Sequence, residues 1–285
     1  MRPSPQPPTI VVLGVPGTGK TNYAGQVYGR LRQGRGQLLI PSGTDPGDLG
    51  PFENILTCLQ EGRAAPHTAT ETYSHLLLPI EDRSGHRSDL RWPDYGGEQL
   101  ADMLETRVIP TAWSSRLATA DGWFLFLRLS KMKVYEDALS RSPEKRAREE
   151  LRRIPAGWDD NARQVELVQL LVQAAELSTT TRLRRPKLLI ALSCWDEIPG
   201  TELKTPEQIL AERLPLLSSF VEANWHRGAL SIWGVASLGR DLRPDSEDED
   251  FQTQGPESFG YVIVPGTAAR QADLTLPLAW MLEPP

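Results

Sequence analysis

Apolar residues along this chain fall into two patterns, short unbroken runs and longer stretches at helical spacing. The runs Thr9-Ile10-Val11-Val12-Leu13, Trp123 to Leu129, Lys187 to Cys194, Ala229 to Val235 and Gly260 to Val264 have the length and continuity of buried strands. Between them lie stretches with a 3.6-residue period. One runs from Asn22 to about Arg32, and another from Asp48 to Gly62 with Leu49, Phe52, Ile55, Leu56 and Leu59 on one face. Further helices are predicted over 98–107 and 111–119, separated at Pro110, and around Val165, Leu167, Val168, Leu170, Leu171 and Ala175. Pro206 to Trp225 reads as one long helix, with Pro206 in its first turn. Gln37 to Pro41 predicts a short strand. Tyr73–Glu81 and Ser88–Trp92 predict two more, joined by the turn Asp82-Arg83-Ser84-Gly85. Strands alternating with helices predict a mostly parallel, doubly wound sheet of the α/β class, with the hairpin as an antiparallel edge.

The remaining segments break both patterns. Residues 63–72 carry three threonines and no period, and read as a loop. Residues 130–160 mix both charges, notably from Pro143 to Arg153, and predict a solvated helical insertion. Residues 240–258, with Ser246-Glu247-Asp248-Glu249-Asp250, read as a disordered acidic loop. The division that follows is a proline-rich lead over 1–8 and a single domain over 9–285.

Composition narrows the function classes. The chain has 285 residues, 39% hydrophobic and 24% charged, and a net charge of −6, so no global nucleic-acid signal is present. No apolar run is long enough to span a bilayer, and the lead lacks the apolar centre of a secretory signal. Two cysteines, Cys58 and Cys194, make neither a disulfide framework nor a metal cluster, and fit a reducing, cytoplasmic setting.

The chemistry begins at Gly14-Val15-Pro16-Gly17-Thr18-Gly19-Lys20-Thr21, a full GxxxxGK[ST] match between a predicted strand and a predicted helix starting at Asn22. Such a loop aims backbone N–H groups and a helix N-terminus at phosphate oxygens. Lys20 would reach the β- and γ-phosphates and the Thr21 hydroxyl would ligate Mg²⁺. The plainer alternative is a glycine-rich turn. Two metal-side motifs then compete. Asp94-Tyr95-Gly96-Gly97 is a DxxG pattern after a strand: Asp94 would hold Mg²⁺ and the Gly97 N–H would face the γ-phosphate. The other is the apolar run ending at Asp196-Glu197, in which Asp196 would be the metal carboxylate and Glu197 the base.

Order along the chain separates the two. The glycine loop, the 63–72 loop and hairpin, Asp94–Gly97, Ser193–Asp196 and the small loop Ala236–Leu238 follow one another as in TRAFAC-class GTPase-like domains, which the chain resembles. Trp92-Pro93-Asp94-Tyr95-Gly96-Gly97-Glu98, Ser193-Cys194-Trp195-Asp196 and Leu276-Pro277-Leu278-Ala279-Trp280-Met281-Leu282 are similar to the bacterial double-GTPase group of conflict and defence operons. The resemblance implies a P-loop NTPase three-layer sandwich and a slow, Mg²⁺-dependent GTP-hydrolysing switch with a protein effector or operon partner. It further implies that Asp196 reads the base and that Ser237 lies in the small base-side loop. The Mg²⁺-binding switch threonine lies among Thr68, Thr70 and Thr72, with Thr70 chosen. Two departures stand out. The family's Asn-Lys-x-Asp is Ser193-Cys194-Trp195-Asp196 here, so the lysine that covers the base is absent, and Trp195 either stacks on the base in its place or is a core aromatic at the strand end. Where GTPases carry a water-orienting glutamine this chain has Glu98, with Gln99 adjacent. Arg63 sits in the right loop for an arginine finger but is not assigned as one. ATP in place of GTP, through an AAA-like use of Asp196 and Glu197, and a non-hydrolysing scaffold remain the alternatives.

Overall fold

The structure, a computed structural model, describes residues 8–41, 49–66, 74–85, 87–94, 97–134 and 159–283. Its centre is four parallel strands in the order β1 (Ile10–Leu13), β5 (Gly122–Leu127), β6 (Lys187–Ser193) and β7 (Leu230–Ala236). The antiparallel strands β8 (Tyr261–Ile263) and β9 (Arg270–Gln271) extend it beyond β7. A second antiparallel group, β2 (Leu38–Leu39), β3 (Ser74–Asp82) and β4 (Arg87–Asp94), lies with β4 beside β1. The architecture is therefore the α/β sandwich with one hairpin that the patterning predicts.

Period-2 alternation along the central strands produces two cores. Val11, Leu13, Trp123, Leu125, Leu127, Leu188, Ile190 and Leu192 face one side, and Ile10, Val12, Phe124, Phe126, Leu189 and Ala191 face the other. The first face is covered by α3 (Gly97–Thr106), α4 (Thr111–Thr119), α5 (Asp160–Ala174), α6 (Pro206–Arg213) and α7 (Pro215–Asn224). The second is covered by α1 (Lys20–Gln33), α2 (Gly50–Gln60) and α9 (Leu276–Leu282). With both faces closed, β5 has no polar position from Trp123 to Leu127, each at most 2% exposed. Lys187 fastens α9 by donating to the carbonyls of Trp280 and Glu283, both at 2.8 Å. None of the helices described is long and apolar enough to cross a membrane.

Two expectations need correction. Residues 206–225 form two helices, not one. Leu214 leaves helical geometry at φ −134°, ψ 64°, because the Pro215 ring disfavours an α conformation in the residue before it. Pro215 then opens α7. The acidic stretch 240–258 is ordered, and contains α8 (Glu249–Gln254). Asp248 caps that helix by accepting from the Phe251 N–H at 3.0 Å. Phe251 is fully buried, stacks on Phe259 at 4.4 Å, and forms a small core with Ala64 and Leu242. Arg240 neutralises the acidic run, with ion pairs of 3.0 Å to both Asp248 and Asp250. Most of the predicted 130–160 insertion and of the 1–8 lead lies outside the described residues.

Candidate functional site

The parallel strands end at one rim, where the loops after β1, β5, β6 and β7 converge, as expected for a ligand site on an open α/β sheet. The loop from Gly14 to Gly19 joins β1 to α1, and Gly17 (φ +75°) and Gly19 (φ +83°) adopt left-handed geometry that side chains disfavour. The loop closes on itself: Thr18 Oγ1 donates to the Val15 carbonyl at 2.9 Å. Lys20 Nζ donates to the carbonyls of Gly14 at 2.6 Å and Val15 at 3.1 Å, and to Thr18 Oγ1 at 3.4 Å. Burial lowers the Lys20 pKa to about 8, against the opposing pull of Glu98. A desolvated ammonium satisfied by neutral carbonyls gains directly from an anion brought to the loop. Thr21 and Asn22 line the same cleft, and Asn22 Oδ1 also accepts from the Ala65 N–H at 3.2 Å.

Gly97 opens α3 directly against this loop. A Cβ at Gly97 would sit 2.5 Å from Pro16 N, 2.6 Å from the Val15 carbonyl carbon and 2.9 Å from the Gly14 oxygen. The DxxG glycine and the glycine loop are therefore in backbone contact. Glu98 lines the cleft beside Lys20 and Gly97. Gln99, its neighbour, is committed elsewhere, with Oε1 accepting from the Trp113 indole N–H at 3.0 Å. Asp94 closes β4 opposite Ser74 in the hairpin register. Tyr95, Gly96 and Thr70 lie outside the described residues. Arg63 pairs with Glu61 at 2.6 Å and does not line the cleft.

The other end of the cleft is built after β6. Ser193 ends the strand, Cys194 turns the chain at φ +50°, and a short 3-10 turn carries Trp195–Glu197. Asp196 lines the cleft, and burial raises its pKa, helped by the charge of Glu197. A half-desolvated carboxylate of this kind favours N–H donors. Trp195 goes the other way. It is 3% exposed within the core, and its ring lies so close to Gly234 of β7 that a Cβ there would be 2.6 Å away. That location corrects the expectation of base stacking, since the ring does not line the cleft. Cys194 does line it, next to Gly19, and burial pushes its thiol up to about 12 despite nearby Arg128. Ser237 and Leu238, after β7, complete this end.

Sequence reasoning missed Arg128, which it placed inside a strand running to Leu129. The strand stops at Leu127, and the guanidinium reaches over the rim. Its Nη1 donates to the Gly17 carbonyl at 2.9 Å, while Nε and Nη2 fork onto the two Glu197 oxygens at 3.0 and 2.5 Å. Ser130 Oγ donates to the same carboxylate. Burial works against the Glu197 charge, but these bonds hold its pKa below the usual range. The available signal was a lone cation at the carboxyl end of an otherwise apolar strand.

Together these residues bound a cleft of about 950 Å³, which is ample for a nucleotide. Among the described residues no group of three His, Cys, Asp or Glu forms a ready metal cage. A Mg²⁺ ion carried in with phosphate needs only a hydroxyl and one or two carboxylates from the protein, and Thr21 and Glu98 line the cleft.

The family model for Double-GTPase 1 (DO-GTPase1) matches residues 11–281. The chain belongs to the Double-GTPase 1 family. The match runs from inside β1 to inside α9, so the glycine loop, Gly97, the Asp196 turn and most of the closing helix all lie within it. This is a GTPase-like nucleotide-binding domain. No curated protein matches the chain.

Proposed function

We propose that this double-GTPase is a Mg²⁺-dependent GTP-binding switch that hydrolyses GTP slowly by in-line attack of water on the γ-phosphate. The observation that carries the reading is the backbone contact of Gly97 with Val15 and Pro16, because it joins the DxxG motif to the phosphate loop. Gly14 through Thr21, with Asn22, hold the phosphates, and Lys20 neutralises the γ-phosphate charge. Thr21, Asp94 and Thr70 complete the Mg²⁺ shell, Gly97 donates its N–H, and Glu98 orients the water. Asp196 accepts from guanine N1–H and the exocyclic amine, a pair of donors adenine does not offer, and Ser237 borders the base. Slow turnover follows from the ion pair that occupies Arg63, since a missing arginine finger costs roughly a thousandfold or more. The double-GTPase assignment supports a place in a bacterial conflict or defence system, with a protein effector, and the free thiols Cys58 and Cys194 suit a reducing cytoplasm.

The ATPase alternative needs Glu197 as a free base, and both its oxygens are taken by Arg128 and Ser130. The deciding experiment follows binding and phosphate release with GTP and ATP, with and without Mg²⁺, for the native protein and Lys20→Ala. GTP binding that needs Mg²⁺ for turnover and is lost in Lys20→Ala is expected. Tight ATP binding that GTP does not compete away refutes the guanine assignment.

A further inference from the structure

The base-side turn has an unfilled requirement. In the GTPase-like domains that this chain resembles, a lysine two residues before the base-reading aspartate supplies a positive charge there. Here that position is Cys194, whose buried thiol is neutral at any ordinary pH. Beside it Ser193 Oγ, 2% exposed, has no hydrogen-bond partner among the described residues. Yet the turn is not without a cation. Arg128 enters from the neighbouring strand β5, hooks the Gly17 carbonyl of the phosphate loop, and is oriented by both oxygens of Glu197, the residue after Asp196. The guanidinium lines the cleft and lies close enough to Cys194 for its charge to act on the thiol.

We propose that Arg128 is the relocated cation of the base-recognition turn: a positioning residue that fixes the phosphate loop against the Asp196 turn, with Glu197 as its orienting counter-ion. The inference rests on the nucleotide-binding reading above. Geometry supports it because one planar group makes three charge-assisted bonds, spanning two loops that sequence separates by 180 residues or so. Loss of such bonds weakens nucleotide binding roughly tenfold to hundredfold. The loss falls equally on GDP and GTP, since the contact is to Gly17 and Glu197 and not to a γ-phosphate.

Calorimetric titration with GDP and with a non-hydrolysable GTP analogue tests this in native protein, Arg128→Met, Arg128→Lys, Glu197→Gln and the double variant Arg128→Met/Cys194→Lys, with thermal melts of each. Arg128→Met is expected to lose affinity for both nucleotides alike. Arg128→Lys and Glu197→Gln lose less, because a lysine still reaches Gly17 and an amide still accepts one bond. The decisive readout is rescue: Cys194→Lys restores a charge at the turn and recovers affinity in the Arg128→Met background. A merely structural arginine is not rescued from that position. An Arg128→Met protein that binds GDP like the native one overturns the inference, as does loss confined to the GTP analogue, which would put Arg128 at the γ-phosphate. An unrescued loss accompanied by a lowered melting temperature overturns it too. Lys20→Ala in the same series keeps the two claims apart. If native protein binds neither nucleotide, both fall; if Lys20→Ala loses binding and Arg128→Met does not, only this one does.

Discussion

Gly97→Ala adds one methyl group where the phosphate loop leaves no space for it. The new Cβ would lie 2.5 Å from Pro16 N and 2.6 Å from the Val15 carbonyl carbon, whereas unstrained contacts begin near ~3.5 Å. Relief therefore needs about 1 Å of separation. Both opposing atoms are backbone, so no side chain can rotate away. Gly97 opens α3, and alanine is the better helix former. Whatever is lost is steric. Overpacking of this kind costs about 1–3 kcal/mol of stability, and a 1 Å misplacement at a reacting centre costs about a hundredfold in rate. Urea unfolding and single-turnover GTP hydrolysis measure the two effects separately. Gly85→Ala is the control: its φ is +84° with nothing within 4 Å, so it should lower stability by about 1 kcal/mol and leave turnover alone. A Gly97→Ala protein that hydrolyses GTP within twofold of the native rate would refute the claim that the DxxG glycine and the phosphate loop act as one unit.

Other consequences are as specific. The folded-state pKa of Lys20, about 8, lies below its ordinary value, so the unfolded chain holds more protons between about pH 8 and 10.5 and stability rises with pH across that window. Binding phosphate restores the charge, so GDP affinity should fall above about pH 8 with proton uptake, measurable by calorimetry in buffers of different ionisation enthalpy; Lys20→Arg should abolish the uptake. Asp196→Ala should weaken GTP binding roughly tenfold to hundredfold and leave ATP binding unchanged, and equal losses would remove Asp196 from base recognition. Phe251→Ala empties the small core over Ala64 and Leu242, costing about 3–5 kcal/mol, and hydrogen exchange should localise the loosening to 240–258 and 62–65. Uniform loosening of the central sheet instead would show that this core is not a separate unit.

What could be read from sequence was whatever local patterning dictates. The strands β1, β5, β6 and β7 are continuous apolar runs because both faces of the sheet are covered, and the glycine loop declares itself by its flanks. The break between α6 and α7 is legible only against the periodicity: apolar spacing runs through Leu214 and Pro215, but a proline dictates the conformation of the residue before it. Trp195 shows the opposite limit. Its neighbours in sequence belong to the cleft, and only the absence of a side chain at Gly234, one strand away, makes room for the ring in the core. Arg128 and Arg240 were illegible for one reason. Each works through partners that no local periodicity marks: Arg128 bridges Gly17 and Glu197, far apart in the chain, and Arg240 pairs with Asp248 and Asp250 while lying over the Phe259 ring in its own segment. Composition counts such a cation as solvated surface, and an acidic stretch without its partner reads as disorder.

The ordering of 240–258 also fixes the segment between the two ends of the cleft. The 62–65 segment is fastened at three points. Gly62 accepts from the Asp248 N–H at 3.0 Å, the Ala64 N–H donates to the Arg243 carbonyl at 2.9 Å, and the Ala65 N–H donates to Asn22. Two of these anchors belong to the segment that follows Ser237 and Leu238 on the base side, and the third belongs to the first turn of α1 on the phosphate side. Backbone bonds of this kind fix position without any signature in side-chain type. The base-side loop and the 62–65 segment are therefore tied to each other through main-chain atoms. The acidic run accordingly supports this tie: Asp248 caps α8, α8 seats Phe251, and Phe251 packs in one small core with Ala64, whose N–H is bonded to Arg243.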